Sequence, residues 1–176
     1  MKRKDRLRRV AILCLHCLRN LAYYNAGRYE DKSILKGSFW INVNGNFIDI
    51  CVLEWCKLFG DIRGKHYWGN IVTDPKVFYT GMLRKLNIEE REIESLTKEM
   101  RKYRKKFVAH LDDDKTMYIP SNLMLAKKSV EYLYDYIMAN EDEGIFFNDV
   151  PSNMAVFFGH HLRYAKAEYE KLKEIS

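Results

Sequence analysis

A chain of 176 residues has the length of one ordinary domain and can bury a single sizeable core. With 47% apolar and 31% charged residues but only three prolines and nine glycines, the composition is that of a globular chain and argues against disorder and against a fold of many turn-linked strands. The apolar runs fall far short of the ~20 residues of a membrane-spanning helix, and the formal net charge of +6 favours a polyanionic partner.

The first residues resemble a secretion signal only briefly. Lys2, Arg3, Lys4, Arg6, Arg8 and Arg9 precede an apolar stretch over 10–15, but His16 and Arg19 interrupt it and no small-residue cleavage pattern follows, so a cytoplasmic protein is expected. Leu7, Ala11, Cys14, Leu18 and Leu21 form one stripe of a helix over about 5–25, whose other face is basic. Glycines and charges break the pattern over 27–32, and Ser38 can cap a second helix reaching about residue 59, with Gly45 weakening its middle. Residues 60–73 read as a loop, with Gly60, Gly64 and Gly69 around His66, Tyr67 and Trp68. Asp74 and Pro75 then supply a cap and a first-turn proline for a short third helix ending near residue 87.

The fourth helix, over about 89–111, shows the clearest stripe: Ile93, Leu96, Met100, Tyr103, Phe107 and Leu111. Its acidic first turn and basic second half complement the helix dipole. After Asp112-Asp113-Asp114 and a loop through Pro120, a fifth helix carries Leu123, Ala126, Val130, Leu133 and Ile137, and ends before Asn140. A sixth starts near Ser152 and sets Met154, Phe157, Phe158, His161 and Ala165 on one side. No segment alternates apolar with polar residues, so the expected fold is all-α, an antiparallel bundle of about five to six helices in a single domain over 1–176.

Cys14, Cys17, Cys51 and Cys56 make two close pairs, the arrangement of a four-thiolate zinc site, yet both pairs lie in apolar helical runs rather than in glycine-rich turns. Packing as small hydrophobes in a reducing compartment is the competing account, and the expectation is no metal. His66, His160 and His161 are likewise assigned to packing or surface positions, since adjacent histidines diverge on a helix. No phosphate-binding glycine loop, nucleophile elbow or zinc-protease sequence occurs.

Charge concentrates where Lys98, Arg101, Lys102, Arg104, Lys105 and Lys106 crowd a stretch whose one acid is Glu99. Such a patch attracts a phosphate backbone, and Tyr103 within it can stack on an unpaired base; a solvated cationic face near a helix C-terminus is the plainer alternative. His110 adds a group that titrates near neutrality at the end of the same helix. Six positions of a regular helix turn two side chains ~120° apart, so Arg104 and His110 share a site only if the helix end unwinds or two copies combine across a twofold axis.

Arg104-Lys105-Lys106-Phe107-Val108-Ala109-His110-Leu111-Asp112, an arginine and a histidine with five residues between, resembles the signature of the HEPN superfamily, and its abortive-infection branch in particular. The resemblance is sharp over 98–114 and otherwise rests on the helical pattern and on Glu54-Trp55-Cys56-Lys57-Leu58-Phe59. It implies a homodimeric, metal-independent endoribonuclease with a toxin or phage-defence role, needing no cofactor; it equally implies members that bind RNA or nucleotides without cleaving. His110 would then serve as general acid or base for attack of a ribose 2′-hydroxyl on the adjacent phosphate, with Arg104 stabilising the charge on the phosphoryl oxygens. Arg101, Lys102, Tyr103, Lys105 and Lys106 would bind the RNA. Glu54, flanked by apolar residues, is the acid expected from the preceding long helix to orient His110 or pair with Arg104; a structural ion pair or a simple exposed glutamate is the alternative. Lys105 stands where active relatives often carry Asn, Asp or His, and Asp112 stands where one subgroup carries a tyrosine modified by a nucleotidyltransferase antitoxin. That antitoxin is therefore not expected. A different, antitoxin-like protein in the same groove belongs with the non-catalytic alternative.

Overall fold

The computed structural model describes residues 2–30, 32–109 (side chains to 106), 119–142 and 147–173. Helix dominates, as the periodicity predicts: α1 (Arg3–Ala26), α2 (Ser38–Trp55), α3 (Pro75–Leu86), α4 (Glu90–Tyr103), α5 (Leu123–Asn140) and α6 (Met154–Lys173) form an all-α bundle. Among the described residues the only strands are β1 (Arg28–Tyr29) and β2 (Lys32–Ser33), a two-residue antiparallel ladder pairing Arg28 with Ser33 and Tyr29 with Lys32. No described helix is long and apolar enough to cross a membrane.

α1 is the central helix, packed against α2, α5 and α6. The stripe expected for it is buried in full: Leu7, Ala11, Cys14, Leu18 and Leu21 are each at most 1% exposed. Each such leucine contributes about 1.5–3 kcal/mol by leaving water, which fixes α1 as the axis of the core. Trp55 closes the far end of α2 inside this core, and its indole Nε1 donates to Ser129 Oγ on α5 at 3.1 Å.

Local chemistry sets the helix ends. Asp74 accepts the Val77 N–H at 2.9 Å and Pro75 opens α3, while Asn87 closes it in the left-handed conformation at φ 53°. Glu89 and Glu92 form a reciprocal capping box at the start of α4. At α2 the expectation needs correcting. The capping position is Gly37, at φ 97°, and Ser38 is the first helical residue; a positive φ at this entry suits glycine and not serine.

Two tertiary ties hold the bundle. Where α1, α2 and α6 converge, Asn44 Nδ2 donates to the Tyr24 carbonyl at 3.1 Å and to the Tyr169 hydroxyl at 3.2 Å. Gly27 fits there because a Cβ would stand 2.2 Å from that Nδ2. At the opposite side Glu141, 3% exposed, accepts the Thr73 N–H at 2.8 Å and the Thr73 hydroxyl at 2.7 Å, and pairs with Arg3.

Two helices widen at their C-terminal ends. α2 continues into a π-helical turn over Cys56–Gly60, and α4 into another over Arg104–Ala109. A regular α-helix was predicted through both. In a π turn the hydrogen bonds skip one residue more, so the angular spacing of a regular helix does not hold from Arg104 onward. His110 and Leu111 lie outside the described residues.

Candidate functional site

Arg104 opens the widened turn of α4, and this turn packs against the end of α2. The chain leaves α2 through its own wide turn, in which the Asp61 N–H donates to the Cys56 carbonyl five residues back at 2.8 Å. Gly64 N–H then donates to the Asp61 carbonyl at 2.6 Å. The closeness of that carbonyl, 2.8 Å from where a Cβ would stand, makes residue 64 a glycine. These two turns deliver Asp61 to Arg104: Nη1 donates to Oδ1 at 2.7 Å and to Oδ2 at 2.8 Å.

The pair is half open, with side chains 28% (Arg104) and 35% (Asp61) exposed. Burial by itself lowers the guanidinium pKa, but the hydrogen bond to Asp61 and its negative charge outweigh it, so Arg104 stays charged. Burial pushes the Cys56 thiol up to about 12 despite the pull of Arg104, which keeps it neutral beneath the pair. Both carboxylate oxygens sit on one nitrogen of the guanidinium fork, a group with five donors suited to phosphate. Beside the pair, Gly60, Asp61, Ile62, Arg63, Gly64 and Arg101 line a recess of about 470 Å³. Exposed Arg63 and Arg101 make its rim cationic.

The remaining predicted residues separate into two groups. Arg101, Lys102 and Lys105 are exposed and Lys106 is half-buried, so the cationic face is presented outward. Tyr103 requires a correction. Its ring is 7% exposed on the apolar stripe and its hydroxyl donates to Asp49 Oδ1 at 2.7 Å, so it packs against α2 and offers no stacking face. Burial and the Asp49 contact both push its phenol pKa up. Glu54 is correctly placed on α2 as a largely buried acid, its side chain 13% exposed, but it accepts from Lys57 Nζ at 3.2 Å rather than from Arg104. The acid that holds Arg104 is Asp61. The orienting role of Glu54 toward His110 concerns a residue outside the described ones.

Asp61, Arg63 and Asp49 are the site residues that sequence reasoning missed. A signal for the first two was present: Gly60-Asp61-Ile62-Arg63-Gly64 sets an acid and a base between two glycines directly after a long apolar helix. His66 sits near Glu54 with its pKa lowered by burial, then by Arg9 and Lys57. His161 packs edge-on against Phe157 and Tyr23, with Nδ1 3.1 Å from the Tyr23 hydroxyl. All four cysteines are buried, with Cys17 and Cys51 sulfurs 3.7 Å apart, and among the described residues no cluster of His, Cys, Asp and Glu has the arrangement of a metal site.

Comparison of the chain with protein-family models, with curated proteins and with solved structures yields no match.

Proposed function

We propose that this protein is a HEPN-like RNA-binding protein acting as a metal-independent endoribonuclease, with a toxin or phage-defence role and a site completed by a second copy of the chain. Support comes above all from one observation: Arg104 stands half exposed beside a cationic recess, steadied through one nitrogen by Asp61. A guanidinium so held is oriented before substrate arrives, the condition under which electrostatic stabilisation of a developing charge is most effective. In the reaction, the ribose 2′-hydroxyl loses its proton to a base and bonds to phosphorus. The 5′-oxygen leaves with a proton, giving a 2′,3′-cyclic phosphate and a free 5′-hydroxyl. By resemblance His110 handles these protons and Arg104 faces the phosphoryl oxygens.

The test is cleavage of a mixed RNA pool in excess chelator. Wild-type protein should produce cyclic-phosphate ends; Arg104→Ala should reduce the rate by about 10²–10³, and His110→Ala should abolish it. Intact RNA with every preparation, together with a monomer at all concentrations, would overturn the enzyme. The second reading, binding of RNA, a nucleotide or a protein partner without cleavage, is favoured by the Asp61 carboxylate, which already occupies Nη1 of the one guanidinium that the reaction would use. RNA retained but uncut by the wild type would select it.

A further inference from the structure

We infer that the groove between α3 and α4 receives the bases of a single RNA strand, stacked beside Tyr67, Trp68 and Tyr79, while its phosphates run along Lys98 and Arg101 toward Arg104. The inference rests on the RNA function proposed above and specifies the form of RNA the site takes. The groove, about 690 Å³, shares Ile62 and Arg101 with the recess beside Arg104, so the two cavities adjoin at these side chains.

Its wall is a cluster of aromatic rings in which Tyr67 and Tyr79 are half-buried. Trp68 and Tyr79 lie parallel, with planes 1° apart and centroids 5.5 Å apart, and Tyr67 adjoins Trp68 at 5.1 Å. Behind them the fully buried Phe78 backs Trp68 at 4.8 Å, which fixes the platform to the core. The Tyr79 hydroxyl is engaged by Glu90, and burial together with that carboxylate pushes its pKa up to about 12. Stacking a base on such a ring contributes about 1–3 kcal/mol and tolerates any base. At the junction with the recess, Ile62 is 64% exposed, an apolar side chain held in water where a sugar or base would cover it.

Charge sets where the phosphates lie. Along the groove face of α4, Glu90 and Glu94 occupy the N-terminal half, and Lys98 and Arg101 the C-terminal half. Phosphates are repelled from the first pair and drawn to the second, with Lys76 on the α3 wall as one further cation, so the backbone is placed toward the Arg104 side and bases occupy the aromatic part. A duplex cannot use this wall, because its base faces are stacked on one another.

The experiment uses the full chain and a short oligoribonucleotide carrying 2-aminopurine, with a duplex of the same sequence as competitor. Single-stranded RNA should bind at least about tenfold more tightly than duplex, with quenching of the 2-aminopurine. Tyr67→Leu should lose the quenching, and Lys98→Glu, at an exposed position, should weaken binding while leaving thermal unfolding unchanged. As a readout independent of any variant, photocrosslinking of wild-type protein to 5-iodouridine RNA should label Tyr67, Trp68 or Tyr79. RNA that binds but crosslinks elsewhere, or binds equally as duplex, overturns the groove and spares the proposed function. Absence of any RNA binding overturns both.

Discussion

Two arginine–carboxylate pairs in this protein have opposite characters. Arg3–Glu141 buries its carboxylate almost completely, at 1% side-chain exposure, and adds two donors from Thr73. Arg104–Asp61 leaves both partners about a third exposed beside an open recess. The first ties the start of α1, the loop before α3 and the end of α5 into one knot; the second holds a cation in place while keeping it within reach of solvent. Burial, not the identity of the pair, separates an anchor from a group available to a ligand.

Glu141→Ala should produce the largest loss of stability, about 2–3 kcal/mol, because a buried carboxylate that accepts from the Thr73 N–H, the Thr73 hydroxyl and Arg3 is removed. Urea unfolding measures it, and a loss below that of an exposed ion pair would break the distinction. Gly27→Ala tests the other rigid knot: a methyl group 2.2 Å from Asn44 Nδ2 should cost about 1–3 kcal/mol. Adding Asn44→Ala should return part of that loss.

Asp61→Asn should change stability by less than about 1 kcal/mol. It should instead tighten RNA binding several-fold and steepen its salt dependence, since a carboxylate beside the recess becomes neutral. Destabilisation as large as that of Glu141→Ala would make the open pair an anchor too.

The smallest effect concerns pH. Burial lowers the pKa of His66 and of His161 in the folded chain below the unfolded value of about 6.5. Unfolded protein therefore binds more protons as the solution is acidified. The stability contributed by the two neutral imidazoles is complete above pH ~6.5 and declines as pH falls through that value toward the folded pKa. Thermal unfolding between pH 7.5 and 5 should show the decline, and His161→Phe should flatten it.

The helices were legible in the sequence because their apolar stripes repeat at helical spacing, and Asp74-Pro75 and Glu89 through Glu92 carry explicit start signals. The widened turns were not, since nothing in the composition of Cys56–Gly60 or Arg104–Ala109 distinguishes them from ordinary helix. Tyr103 satisfied both the apolar stripe and the cationic patch, and the stripe decided its position. The partner of Arg104 was hidden for a different reason. Asp61 lies 43 positions away, and only the meeting of two helix ends brings it near.

The sulfurs of the core give the molecule a built-in reporter. Cys14, Cys17, Cys51 and Cys56 are sealed from solvent; burial raises the pKa of Cys14 and Cys56, and the Cys51 contact, then burial, raises that of Cys17. Alkylating reagents act on ionised, accessible sulfur, so a native molecule stays unmarked and each one that opens is tagged. Counting tags by mass against time therefore follows the breathing of α1 against α2 without any engineered probe.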